Sequence, residues 1–399
     1  MSESSIGMVP SVHATNIRQN RHPWLDVVRG LSALAVCAEH LRAAIFVDYQ
    51  TLEHTSHVDR AFYFLTSLGH QSVMIFFVLS GFLVGGSVLS KGENFRWLPY
   101  AIARLSRLWV VLIPALLLTL GIDLWFQSYA PEIVQGAWQG MWRSGPNPDG
   151  SWSIGVDRFL ANVFFLQTIE TPVYGSNMPL WSLANEFWYY VLFPLAVAAT
   201  SARSSRRMKA AYALMIVLLC FWLPIGMLAL FPVWLMGAAA WWISRRPIPA
   251  FTRRMILLLG TGFLLGSLIV IRNPIFSMPH GLARDLPVGF AFAVMLIGLA
   301  RAKMDHPTVR WMEGTGRRLS DLSYSLYLCH LPLILALSWV FIGRAQLRPS
   351  VVSYALFLGF LAIQVFIARL LWLMFERHTD LIRTRLLDLF NRGCAFPKP

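Results

Sequence analysis

The sequence predicts an all-α polytopic membrane protein with about ten transmembrane helices and both termini in the cytoplasm. Three observations lead there. Of 399 residues, 56% are apolar and only 14% charged, whereas a soluble domain carries about a quarter charged residues; mean hydropathy is +0.55. Apolar runs of roughly 20 residues, the length that crosses about 30 Å of hydrocarbon, recur along the chain. The basic residues, which give a formal charge of +14, fall in short clusters between those runs. That is the pattern of cytoplasmic loops, and it points away from nucleic acid.

Taken in order, residues 1–24 contain no apolar core followed by a small-residue cleavage site, so they read as a cytoplasmic N-terminal segment with no secretory signal peptide. Spans follow near 25–47, 68–89, 105–127, 179–200, 255–271, 284–300, 322–342 and 351–375. The stretch 210–243 is too long for one span, and Pro224-Ile225-Gly226 interrupts it, so it reads as a hairpin of two short helices. Arg203, Arg206, Arg207 and Lys209 precede the hairpin and Arg245, Arg246, Arg253 and Arg254 follow it, which puts both flanks on one side. With the N-terminus inside and ten crossings, most of the 34 Lys and Arg are cytoplasmic.

The transmembrane domain then covers 25–376, with its longest external loop at 128–178. That loop holds Trp138, Trp142 and Trp152, which suit either an interfacial aromatic belt or a platform on which a sugar ring stacks. Its apolar piece NVFFLQ is too short to span. Residues 377–399 alternate bases with Leu, Ile and Phe, as in a cytoplasmic amphipathic tail lying on the inner surface. Of the four cysteines, Cys37, Cys220 and Cys329 sit within apolar runs and Cys394 near the terminus; no CxxC spacing occurs, and neither a disulfide nor a metal is expected.

Several polar residues interrupt the spans, where an unpaired polar group costs several kcal/mol. In RGLSALAVCAEH, Arg29 and His40 are eleven residues apart, almost three turns, so they share a helix face about 16 Å apart along the axis. Arg29 suits snorkelling to the interface or a place at a cavity mouth; a histidine as deep as His40 faces the bundle interior or water. Glu39 points elsewhere and suits neutralising Arg42. RLSRL puts Arg104 and Arg107 on one face, where two guanidiniums can grip phosphates or simply mark the cytoplasmic side. Glu186 and His330 each lie about two turns into their spans, which suggests proton handling or a polar cavity. Ser80 in FFVLSGFLVGG suits a bond to its own helix backbone, and Gly81, Gly85 and Gly86 permit close helix approach.

LDVVRGLSALAVCAEH, FFVLSGFLVG, RLSRL, PLWSLANEFWYY and SYSLYLCH, in that order, resemble the signatures of bacterial acyltransferase family 3, over about 25–376. The family's members are membrane-embedded enzymes that move acyl groups, usually acetyl, from acyl-coenzyme A to sugars and other acceptors. The resemblance implies that His40 is the catalytic histidine with Arg29 its motif partner, and that Arg104 and Arg107 serve the coenzyme A end, where the expected mechanism adds Arg29 to the phosphate contacts. It also puts Glu186 at the family's glutamate position, although Ala184-Asn185 depart from the apolar pair expected before it.

The expected enzyme is thus an O-acetyltransferase of the bacterial inner membrane. Acetyl-coenzyme A or another acyl-coenzyme A is the co-substrate, there is no metal, and Ser80, Trp181, Tyr324, His330 and Glu39 line the cavity. Its partners are the acyl donor, a glycan or lipid-linked sugar acceptor and membrane lipid, with homo-oligomerisation open. His40 would act as general base, its tautomer held by Glu186, or would carry the acyl group itself. The alternatives from another class are a proton-coupled transporter and a glycan-lipid flippase, for which two halves with matching interrupted spans would speak; only the break in 210–243 is present.

Overall fold

Proline, glycine and serine set the ends of the helices into which the apolar runs fold. The computed structural model describes residues 23–139, 142, 145–272, 281–300, 307–343 and 345–393. In chain order the helices are α1 (Pro23–Ile45), α2 (His57–Leu65), α3 (Gly69–Ser80), α4 (Gly86–Lys91), α5 (Trp97–Tyr129), α6 (Pro131–Val134), α7 (Val156–Val163) and α8 (Leu180–Thr200). Then come α9 (Arg206–Trp222), α10 (Ile225–Ser244), α11 (Ala250–Arg272), α12 (Leu282–Leu299), α13 (Pro307–Phe341), α14 (Val351–Met374) and α15 (Thr379–Gly393). Among the described residues there is no strand, only the isolated bridges Phe46 to Leu347 and Gln167 to Thr171.

Seven helical stretches of the described residues are long and apolar enough to cross a membrane: His57–Asn94, Trp97–Tyr129, Ile225–Ser244, Ala250–Ile271, Leu282–Leu299, Gly314–Phe341 and Val351–Phe390. Helices α1 and α8 have the length, 23 and 21 residues, but carry Arg29, Glu39, His40 and Glu186 and so fall short in apolarity. The reading of 210–243 as two helices is borne out, with Leu223 and Pro224 extended between α9 and α10, of which α10 is long and apolar enough to cross. Two spans are longer than their apolar runs: α5 begins at Trp97 and α13 at Pro307, because hydrogen bonding continues the helix past the apolar segment.

Small residues set the closest helix contacts. Along α1 and α13, a Cβ on Gly30 would collide with the Leu319 side chain, and one on Gly316 would stand 2.5 Å from Val27 Cγ2. The two helices also touch ten residues further on, where the His40 and His330 rings lie 5.2 Å apart. Contacts at equal offsets along both chains mean that α1 and α13 run parallel and in near register over about 15 Å. A second close crossing joins α3 to α10, as the glycine reading anticipated: Gly81 and Gly237 leave no room for a Cβ against the Trp234 and Val78 carbonyls. There the chain forms a π turn, Gly81–Gly85, directly after Ser80.

The 128–178 segment folds onto the helices through buried polar anchors. Asp123 of α5 accepts from Ser176 N (2.7 Å), Ser176 Oγ (2.6 Å) and Trp152 Nε1 (3.1 Å). Gly175, at φ +54°, is required beside it because a Cβ would strike the carboxylate. Asn177 Nδ2 donates to the Leu328 carbonyl of α13 at 2.8 Å. Trp138 and Trp142 are each 3% exposed, which corrects both expectations for them: they pack in a core with Phe126, Leu331 and Ile334 and present no open face to lipid or to a sugar. The segment's short apolar piece does stay unspanning, as the end of α7 and a turn. The tail is helical over α15, with Leu381, Ile382, Leu389 and Phe390 exposed, while Cys394 and the last residues lie outside the described part.

Candidate active site

Most of the polar residues singled out from the sequence converge on one cavity of about 160 Å³. Its lining takes Arg29 from α1, Ser80 from the end of α3, Arg104 and Arg107 from successive turns of α5, Glu186 and Tyr190 from α8, and Tyr324 and Tyr327 from α13. The sequence separates these residues by nearly 300 positions. The glycine-lined helix crossings bring them together.

The three arginines differ in their surroundings. Arg107 Nη1 pairs with Glu376 Oε1 at 2.6 Å, and its guanidinium lies 5.2 Å from the centre of the Tyr324 ring. Glu376, 4% exposed, is itself held by Ser325, whose Oγ and N donate to Oε2 at 2.6 and 3.2 Å. Arg104 faces the Tyr100 and Tyr190 rings at 5.9 and 6.0 Å, and its buried Nε has no partner. Arg29 makes no hydrogen bond or ion pair among the described residues.

Opposite them, Trp234 Nε1 donates to Ser80 Oγ (3.0 Å), Ser80 Oγ to Tyr190 Oη (3.1 Å), and Tyr190 Oη to Glu186. Ser80 is therefore bonded across to α8 and α10, not to its own backbone as expected, because the π turn opens the ladder beside it. Three guanidiniums meet two carboxylates, Glu186 and Glu376, which leaves one positive charge in an apolar surround. Such a charge is costly without an anion, so the cavity suits an anionic ligand.

His40 and His330 form a second group, absent from that cavity's lining. The Trp142 ring centre is 6.5 Å from that of His40. His330 is fully buried, and its Nδ1 lies 2.7 Å from the Tyr327 carbonyl oxygen. A carbonyl only accepts, so in the neutral ring Nδ1 carries the hydrogen and Nε2 is left as an acceptor; it has no partner. His40 is partly accessible.

Tyr327 joins the two groups. Its ring lines the cavity and lies 5.8 Å from the His330 ring, and its hydroxyl meets Ser182 Oγ at 2.6 Å. Glu186, expected to hold the His40 tautomer, bonds to Tyr190 instead, and the ring set against His40 is His330.

Besides His330, two more expected lining residues lie elsewhere. Trp181 lines a separate pocket of about 230 Å³ with Asn147, Ser151, Trp152 and Thr168 from the 128–178 segment. Glu39 still offsets the charge of Arg42, though not as a close ion pair; its carboxylate accepts from His70 N at 3.1 Å at the start of α3, where the helix dipole favours negative charge. Arg42 turns to the Thr66 carbonyl (3.4 Å) and the Tyr63 ring.

The sequence reading missed Tyr190, Tyr327 and Glu376, and it set Trp142 in a belt or sugar platform and not beside His40. Tyr327 had a signal, since it lies one turn before His330 on the same helix face. Glu376 had a fainter one, as the first charge after the last apolar run.

A family model described as an acyltransferase domain matches residues 22–369. The chain is also similar to the acyltransferase MdmB of Streptomyces mycarofaciens, at 25% identity over 338 residues, 79% of this chain and 79% of that protein. No solved structure matches it.

Proposed function

The chain belongs to the acyltransferase family whose model spans it, and from that premise we propose that it takes an acyl group, acetyl first, from cytoplasmic acyl-coenzyme A to a glycan or lipid-linked sugar hydroxyl at the outer side of the bacterial inner membrane. The observation that carries this reading is the cavity in which Arg29, Arg104 and Arg107 converge with one positive charge in excess. Phosphates of the donor suit such a site, because guanidiniums bind them bidentately and keep their charge when buried. The positive-inside pattern, read with the proposed ten crossings, supports a cytoplasmic position for this end of the bundle.

The thioester extends past Tyr327 toward His40, about 16 Å along α1 from Arg29. There the neutral His40 imidazole takes the proton of the acceptor hydroxyl as its oxygen attacks the thioester carbonyl carbon. The carbon–sulfur bond breaks, the ester forms, and the thiolate of coenzyme A recovers the proton from the imidazolium. His330 supports the step: with Nδ1 committed to the Tyr327 carbonyl, its Nε2 is the acceptor available for the N–H of His40, so the other His40 nitrogen faces the substrate as base. Trp181 and Trp152 of the outer pocket suit stacking of the acceptor's ring.

Membranes carrying the protein, incubated with radiolabelled acetyl-coenzyme A, should transfer label to glycan. Uptake of a solute without labelled glycan would favour the transporter class instead.

A further inference from the structure

From the unequal surroundings of the three arginines, we infer that Glu376 is a positioning residue for the donor site, holding Arg107 in place while Arg104 and Arg29 make the contacts to the donor's phosphates. This deepens the donor assignment above and rests on it. Arg107 and Glu376 meet at 2.6 Å, with the Glu376 side chain 2% exposed. Both carboxylate oxygens are engaged, Oε1 by Arg107 and Oε2 by Ser325 N and Oγ. Glu376 does not release Arg107 at low cost, since withdrawing the arginine, whose own side chain is 31% exposed, leaves a buried, uncompensated carboxylate. Arg107 is thereby neutralised where it stands, and its guanidinium is fixed at the Tyr324 ring in the cavity wall.

Arg104, one turn away, is held only by the faces of Tyr100 and Tyr190, with Nε buried and unpartnered. Arg29 completes the cavity lining with no hydrogen bond or ion pair among the described residues. The excess charge of the cavity therefore resides on Arg29 and Arg104. Glu376 begins the turn joining α14 to α15, and α15 packs on α5, so the C-terminal tail is structurally part of the donor site.

The test compares acetyl-coenzyme A with acetyl-pantetheine, which lacks the nucleotide phosphates, in membranes carrying full-length wild type, Arg104→Gln, Arg107→Gln, Glu376→Gln and the exchanged pair Arg107→Glu/Glu376→Arg. Arg104→Gln should raise the KM for acetyl-coenzyme A about tenfold or more, the effect of one charge-assisted contact, hold kcat near wild type, and leave the KM for acetyl-pantetheine unchanged. Arg107→Gln and Glu376→Gln should each lower kcat with both donors alike. Exchanging the pair should restore activity above either single variant while keeping the preference for acetyl-coenzyme A.

Should the exchanged pair fail to insert, the double variant Arg107→Gln/Glu376→Gln decides in its place. A positioning pair predicts that it loses no more than the worse single change. Overturning results are a selective rise in KM for acetyl-coenzyme A in Arg107→Gln equal to that of Arg104→Gln, or additive losses in the double variant; either makes Arg107 a direct phosphate ligand. Equal KM values for the two donors in wild type would remove the phosphate site, and this inference with it, while leaving the histidine chemistry standing.

Discussion

His330 presents one bare acceptor nitrogen to its surroundings, because the Tyr327 carbonyl fixes its other nitrogen as a donor. Truncating it to alanine should lower kcat by about 10–100-fold, at the lower end of what a positioned proton acceptor is worth, and leave the KM for acetyl-coenzyme A near wild type. Steady-state kinetics in membranes measures both. The pH profile supplies a further check. The base form of His40 is the active one, so the rate should fall at low pH as the imidazole takes up a proton and stay flat above.

At this scale the sequence was informative where a charge interrupts an apolar run, since lipid rejects it unless it has a purpose; Arg29, His40 and Glu186 stood out for that reason. It was silent on partners. Nothing in the run around Glu186 says that its hydrogen bond comes from Tyr190, one turn later on its own helix, and Glu376 reads only as the first charge after the last apolar run until α14 is packed against α13 and α5.

Helices α1 and α13 carry the histidine pair, and they do so because two glycines let their backbones approach. Gly30→Val or Gly316→Leu should push them apart, at about 1–3 kcal/mol for overpacking a close contact, and reduce transfer in proportion as the His40 and His330 rings separate. Gly314→Ala is the control: a Cβ there meets nothing within 4 Å, so the exchange should be neutral or stabilise by up to about 1 kcal/mol through helix propensity. Thermal unfolding in detergent separates the two cases. The glycines near Ser80 were readable as a close-approach surface, and the break at Pro224 as a helix end, because both are local properties of backbone geometry. The α1 to α13 pairing is not local, since about 260 residues lie between the two helices.

For the molecule as a whole, the all-helical class and the places of the long apolar helices were legible because hydrocarbon thickness fixes the length of an apolar run. The 128–178 segment was not: its tryptophans resemble an interfacial belt in composition, and only the buried bonds of its Ser176 to Asp123 and of its Asn177 to Leu328 show that it is folded into the bundle. The proposed orientation puts that segment outside and the bases flanking the α9–α10 hairpin inside. In intact cells, a membrane-impermeant thiol reagent should label Asp149→Cys and spare Arg246→Cys; the reverse pattern would invert the topology.

The most direct test of donor entry from the cytoplasm and transfer at His40 is label transfer from radiolabelled acetyl-coenzyme A in inverted inner-membrane vesicles, wild type beside His40→Ala, with insertion of both verified. Wild type should label glycan and His40→Ala should be silent, a loss of at least about 100-fold. Wild-type transfer by His40→Ala would contradict the assignment of that residue to the chemistry.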